Sequence, residues 1–197
     1  GVTSLKIEIR DTDPNTGKMC KVGDFIFDEF ADEKINEFAS EHSTRFRVAL
    51  AEGVSSWQVY KALSEIKFLS GKLENIPDEG TIAPASYDFV IGMTKETLIK
   101  KMQERQASIL NEAWNARQPN LPINTKQEAL ILASIIEKET SLKTERGKVS
   151  SVFVNRLLRE IALQTDASVI YGITSGRKVL GRGLRRSELK KDTPWNT

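Results

Sequence analysis

Apolar and charged residues alternate over Leu5-Lys6-Ile7-Glu8-Ile9 and again over Phe46-Arg47-Val48-Ala49-Leu50. Successive side chains of a strand point to opposite faces, so a period of two predicts a strand with one covered face. Gly23-Asp24-Phe25-Ile26-Phe27 predicts another, and Asp13-Pro14-Asn15-Thr16-Gly17 a turn before it. Over residues 29–40 the period lengthens, and Phe30, Ile35, Phe38 and Ala39 predict a helix. Glu52-Gly53 breaks the 46–50 strand. Ser55 or Ser56 then supplies a cap for a helix through Trp57, Val59, Tyr60, Leu63 and Ile66.

Residues 70–84 are punctuated by Pro77-Asp78-Glu79-Gly80 and Ala83-Pro84, which places a boundary near residue 72. Beyond it the pattern is helical. Thr94 to Ala116 predicts a long amphipathic helix, capped by Thr94, with Leu98, Met102, Ile109, Leu110, Ala113 and Trp114 on its buried face. Residues 126–140 predict the least polar helix of the chain. Glu145 to Ile161 predicts a second amphipathic helix, with Val149, Val152, Phe153 and Leu157 on one face. The remainder reads as a loop-rich tail with one short apolar piece, Val169-Ile170-Tyr171. The fold class expected is α+β: a small α+β subdomain over 1–72 and a mainly helical domain over 73–197.

Composition narrows the function classes. Hydrophobic residues make up 39% of the 197 and charged residues 28%, which suits a globular fold. With 29 basic and 27 acidic side chains the net charge is +2, without the basic excess of a nucleic-acid binder. One basic cluster, Arg177, Lys178, Arg182, Arg185 and Arg186, reads as a solvated loop. Cys20 and His42 are the single cysteine and histidine, so an intrachain disulfide and a cysteine- or histidine-rich metal site are excluded. No metal and no cofactor are expected. No run has the apolar length of a membrane span, and the chain starts at Gly1 rather than Met, as a processed fragment would.

Chemistry concentrates in Leu132-Ala133-Ser134-Ile135-Ile136-Glu137-Lys138-Glu139-Thr140. At 100° per residue, Leu132, Ile135 and Ile136 share a face with Glu139. Desolvation there and the carboxyl-terminal end of the helix dipole would both favour a protonated carboxyl, as a general acid requires. Glu137 points elsewhere, toward Leu130, Ala133 and Ser134. Periodicity favours Glu139 only modestly, and an ion pair or cap is the plainer reading of either. A second cluster, Gln164-Thr165-Asp166-Ala167-Ser168-Val169-Ile170-Tyr171, mixes an amide, hydroxyls, a carboxylate and a phenol beside an apolar strip. That mix suits sugar recognition, or a turn capped by Asp166 with Tyr171 packed on the core.

Together these segments, with Glu145-Arg146, the Val-Phe-Val-Asn-Arg-Leu core of 152–157, Leu163-Gln164-Thr165-Asp166, Val169-Ile170-Tyr171-Gly172 and Thr193-Pro194-Trp195-Asn196-Thr197, resemble the MltG/YceG-like endolytic murein (peptidoglycan) transglycosylases in order and spacing. The stretch around Leu180-Gly181-Arg182 looks most like alphaproteobacterial members. The resemblance implies a small LysM-like subdomain followed by a YceG-like catalytic domain. It places the catalytic acid on Glu139 and makes Gln164, Asp166, Tyr171, Asn155 and Asn196 candidate substrate contacts. It implies lytic cleavage of the MurNAc-β-1,4-GlcNAc bond to 1,6-anhydro-MurNAc ends, terminating glycan strand elongation. It further implies an N-terminal inner-membrane anchor with a periplasmic enzyme, peptidoglycan glycan strands as substrate, and cell-wall synthases as candidate partners. The family has Pro, Thr and Tyr where Ala167, Ser168 and Trp195 stand, and continues past Thr197 with a Tyr and a Gly-Leu-Pro-Pro-Gly-type loop. The catalytic domain is therefore expected to be truncated at its C-terminus. Two other readings are a non-catalytic peptidoglycan-binding module and a pyridoxal-phosphate-dependent aminodeoxychorismate lyase, for which no phosphate-cradling glycine loop is present.

Overall fold

The computed structural model describes residues 6–12, 19–25 and 45–196, with side chains from 46 to 196. By contacts the chain divides into two compact units, Val2–Arg105 and Gln106–Thr197. The turn expected at 13–17, the helix expected at 29–40 and His42 lie outside the described residues.

In the first unit, β1 (Lys6–Thr12), β2 (Met19–Phe25), β3 (Arg45–Ala49) and β4 (Ser86–Phe89) form an antiparallel sheet in the order β2-β1-β3-β4. The pairing of β1 with β2 shifts register between Ile9 and Arg10. The alternation read from the sequence in β3 is realised: Phe46 and Val48 are wholly buried, with Phe89 and Tyr87 opposite them on β4. On the other face, Arg47 binds Asp88 through two hydrogen bonds of 2.6 and 2.9 Å. The strand β4 was not among those expected, although Ser86-Tyr87-Asp88-Phe89 carries the same two-residue period.

Helix α1 (Ser56–Glu65) starts at a reciprocal cap: Gln58 N–H donates to Ser55 Oγ at 3.2 Å, and Ser55 N–H to Gln58 Oε1 at 2.9 Å. Ser56 N–H donates to Glu79 Oε2 at 2.9 Å, so the Pro77–Gly80 segment supplies an anion to the helix start. Helix α2 (Lys95–Asn115) begins with Thr97 N–H bonded to Thr94 Oγ1 at 3.0 Å. Its Leu98, Ile99 and Met102 join Phe46, Val48, Val59, Leu63, Ile66 and Phe89 in one core, in which Phe46 stacks on Phe68 and Phe89 with centroids 5.0 and 5.4 Å away. The ammonium of buried Lys95 donates to Ser64 O at 2.8 Å.

The buried face of α2 ends at Met102: Ile109 and Ala113 are exposed, and Leu110 and Trp114 are half-buried. The compact units meet within α2, not near residue 72, because β4 pairs with β3 and the first turns of α2 fill the core beneath it.

The second unit is helical: α3 (Lys126–Glu139), α4 (Arg146–Leu158), α5 (Asp166–Thr174) and the single turn α6 (Arg186–Leu189). Glu128 caps and is capped at the start of α3, its N–H on Thr125 Oγ1 and its carboxylate on Asn124 N–H at 2.6 Å. Leu132, Ile135 and Phe153 form the centre of a small core, with Ile136, Val149, Leu157 and Leu163 packed against it. Val152, expected on the same face of α4, is exposed. The arrangement of sheet and helices is α+β, and no described helix is long and apolar enough to cross a membrane.

Truncating Leu98 to Ala should destabilise the protein by about 2–5 kcal/mol, because the side chain is fully enclosed and its neighbours close only partly over the cavity. Urea denaturation followed by circular dichroism would measure it; a loss under about 0.5 kcal/mol, typical of surface sites, would contradict this packing.

Candidate active site

The two glutamates at the end of α3 are held by different partners. Glu137 Oε2 lies 2.7 Å from Arg146 Nη2, at the first turn of α4. Thr140, buried at the C-cap of α3, donates its hydroxyl to Glu145 Oε2 at 3.1 Å and accepts Leu142 N–H at 3.1 Å. Glu137, Thr140, Glu145 and Arg146 therefore clamp the turn between α3 and α4. This fixes where α3 stops and where Glu139, its last residue, points.

The chain returns to Glu139 through the end of α4. Glu160 adopts φ 54°, Ile161 N–H reaches Arg156 O at 2.9 Å and Glu160 N–H reaches Leu157 O at 3.1 Å. This is the paired-bond C-terminal motif in which the left-handed position is usually glycine. Arg156 also donates its guanidinium to Leu163 O. Gln164 follows with φ 54°, a second left-handed non-glycine residue within five positions. The reversal delivers Thr165, 3% exposed, to the N-cap of α5.

Thr165 Oγ1 lies 2.6 Å from Glu139 Oε1 and 3.3 Å from Ala167 N. The amide must donate, so the hydroxyl hydrogen points at the carboxylate. The carboxylate thus sits at the junction of the C-terminus of α3 and the N-terminus of α5. Glu139 was expected on the buried face of α3. Leu132 and Ile135 are buried, but Glu139 itself is exposed, because the apolar face ends one turn before it and the side chain turns to Thr165.

The other candidates spread around this junction. Gln164 and Asp166 are exposed and flank Thr165; Asp166 is the first residue of α5, and the N-cap expected of it belongs to Thr165. Tyr171 is half-buried on α5 with its ring 5.0 Å from that of Trp195. Asn155 is exposed on α4. Asn196 donates its amide hydrogens to Leu189 O at 2.6 Å and Lys191 O at 2.9 Å, so its donors brace the end of α6. Thr165 was not singled out among the candidates; the available signal was a cap-forming threonine directly before Asp166, the residue expected to cap. Among the described residues no cluster of His, Cys, Asp and Glu could hold a metal ion.

The model of the YceG-like family matches residues 6–197, nearly the whole chain. The chain belongs to the YceG-like family. An endolytic murein transglycosylase of Bacillus subtilis (strain 168) is 34% identical over 121 residues, 61% of this chain and 32% of the relative. One from Streptococcus pneumoniae serotype 2 (strain D39 / NCTC 7466) is 33% identical over 124 residues, 60% of this chain and 21% of the relative. The chain thus spans a third or less of the length of these curated relatives. The crystal structure of a YceG-like protein from Listeria monocytogenes is similar in fold, with a TM-score of 0.58 and 21% identity over 88% of this chain and 66% of that one.

This YceG-like chain pairs part of its basic segment internally. Arg182 grips Glu188 with two bonds of 2.9 and 2.5 Å, and Arg185 N–H adds a third at 2.7 Å. The Arg182 bonds, then the Arg185 amide, hold the Glu188 carboxyl down to about 2. Arg177, Lys178, Arg185 and Arg186 are exposed, as expected of a solvated loop.

A carboxyl whose folded value is depressed contributes stability above its unfolded value and loses it as pH falls through the folded one. Glu188 should therefore titrate with a midpoint of about 2 by NMR, and the α6 turn should loosen between about pH 4 and that midpoint. The Arg182→Gln variant should return the midpoint toward the ordinary carboxylate range, about 4. A native midpoint already in that range would show that the grip does not persist in solution.

Proposed function

We propose that the protein is an endolytic lytic transglycosylase that cleaves peptidoglycan glycan strands between MurNAc and GlcNAc without water, with Glu139 as its single acid/base. The observation that carries this reading is the Thr165–Glu139 hydrogen bond at 2.6 Å, beside a Glu137 already engaged by Arg146. Membership of the YceG-like family and the names of two relatives support the substrate class.

Glu139 protonates the glycosidic oxygen as the bond to C1 of MurNAc breaks. It then accepts the proton of the MurNAc C6 hydroxyl, whose oxygen closes on C1 and leaves a 1,6-anhydro end. Glycosidases that use water need a second carboxyl as base or nucleophile. Here the nucleophile is part of the substrate, so one carboxyl serves both steps. Thr165 occupies Oε1 and leaves Oε2 to carry the transferred proton. Asp166, exposed beside Thr165, is the candidate for countering positive charge at C1, and Gln164, Tyr171, Asn155 and Asn196 for sugar contacts. The reading of residues 1–72 as LysM-like, and of the enzyme as anchored in the inner membrane and facing the periplasm near cell-wall synthases, rests on the family likeness alone.

Sacculi digested by the full-length protein should release anhydro-muropeptides, and Glu139→Gln should lower the rate by about 10²–10⁴-fold. Reducing-end products, or equal rates for both proteins, would refute the reading.

Thr165→Val should reduce kcat by about tenfold with KM little changed, since one orienting hydrogen bond contributes roughly 1–1.5 kcal/mol. Thr165→Ser should restore most of it. Equal loss in both variants, accompanied by a lower melting temperature, would assign Thr165 to helix capping alone.

A further inference from the structure

Among the described residues, six glycines and four other residues hold a left-handed backbone. The four are Asn120, Glu160, Gln164 and Ser175. Asparagine is the side chain that tolerates this region best. Glu160 and Ser175 end helices, where a left-handed residue returns a hydrogen bond to the last turn: Glu160 N–H to Leu157 O at 3.1 Å, and Ser175 N–H to Tyr171 O at 2.6 Å. Neither account covers Gln164. It precedes Thr165, the N-cap of α5, and no helix-ending motif calls for its φ of 54°. Its side chain returns nothing to the fold, being exposed and without a hydrogen bond to the described chain. Glycine would adopt the same backbone without strain. Strain kept at a position whose side chain does not support the fold points to a ligand.

We propose that Gln164 binds the acetamido group on C2 of the MurNAc ring that is cut. The proposal rests on reading Glu139 as the acid. Covalent connection places the two together. Adjacent Cα atoms are about 3.8 Å apart and Thr165 Oγ1 is 2.6 Å from Glu139 Oε1, so Gln164 Cα lies no more than about 9 Å from the carboxylate. A side chain of this length can meet the sugar whose bond Glu139 protonates. C2 adjoins C1, the carbon that leaves the glycosidic oxygen. An acetamido group offers one N–H donor and one carbonyl acceptor. A glutamine amide offers both in return, so the two can exchange a reciprocal pair of hydrogen bonds. Asp166, on the other side of Thr165, only accepts when ionised. Holding the acetamido orients C1 toward Glu139. The Arg156 grip on Leu163 O and the α5 cap at Thr165 pin the backbone on both sides of Gln164, so little freedom is lost there on binding.

The test compares Gln164→Ala, which keeps the strained backbone and removes the amide, with Gln164→Gly, which removes both. The ligands are glycan strands stripped of stem peptides, used before and after chemical N-deacetylation. Calorimetry in the full-length Glu139→Gln protein, where no turnover occurs, should show both variants binding acetylated strands about tenfold more weakly, the size of one reciprocal amide pair. Deacetylated strands should bind the variants and the Gln164 protein alike. With Glu139 intact, both variants should lose about tenfold in kcat/KM on acetylated strands only. Equal melting temperatures would separate lost contact from lost folding. Full affinity in Gln164→Ala beside a loss in Gln164→Gly would show that only the backbone matters at this position. An equal loss on acetylated and deacetylated strands would remove the acetamido from the contact. Either result overturns the proposal while leaving cleavage by Glu139 intact. An acetyl-dependent loss of affinity, without anhydro products from the Glu139 protein, would instead refute the catalytic reading alone.

Discussion

The hydroxyl of Thr165 has one hydrogen to give, and the structure gives it to Glu139. The same oxygen caps α5 by accepting Ala167 N–H, so helix start and carboxylate are coupled through a single atom. Most of the second unit serves to keep that atom in place. On one side, Glu137–Arg146 and Thr140–Glu145 set the end of α3 and hence the carboxylate. On the other, the left-handed Glu160, the Arg156 grip on Leu163 O and the left-handed Gln164 set the approach of Thr165. The apolar centre behind them is only Leu132, Ile135 and Phe153 with their half-buried neighbours. Polar clamps therefore carry the precision that so small a core cannot supply, consistent with a site oriented by supporting hydrogen bonds.

These clamps also distinguish two carboxyls two residues apart. Arg146 stands against Glu137 Oε2, the place a substrate oxygen would need, and presents donors only. Glu139 meets a neutral hydroxyl through one oxygen, and its side chain is open to solvent. An acid that must give and then recover a proton needs an oxygen within reach of substrate and a partner that holds the other oxygen still. Of this pair, Glu139 fits the proposed role better. Periodicity left Glu137 in contention because it says nothing of Arg146, which arrives from the next helix.

What was legible in the sequence follows the range of the interaction. The alternation of Phe46 and Val48 and the serine at the start of α1 are local patterns, and both reappear as drawn. The amphipathic pattern of α2 continued to Trp114, yet burial stops at Met102, since periodicity shows which side of a helix is apolar but not how far a core extends along it. Helix α5 was hidden because Val169-Ile170-Tyr171 is a continuous apolar run in a nine-residue element, too short for a period to show. The Thr165–Glu139 bond joins residues 26 apart and has no local signature at all. Its expected substitute, a buried and desolvated Glu139, came from extending the face of α3 to its last residue, where a helix end has no further turn to cover it.

Gln164 shows how such a site can be selected against local preference. A non-glycine residue in the left-handed region costs on the order of 1 kcal/mol or more, and glycine would adopt φ 54° without strain. Glycine would also enlarge the unfolded ensemble, which offsets part of that gain. It would remove an exposed amide beside Thr165 and loosen the one turn that aims the hydroxyl at Glu139. A strained residue persists where its surroundings over-determine it, and here Arg156 fixes the preceding carbonyl while the α5 cap fixes the following side chain. The strain at Gln164 and the hydrogen bond at Thr165 are thus two parts of one device, in which the backbone is bent so that a buried hydroxyl meets an exposed carboxylate.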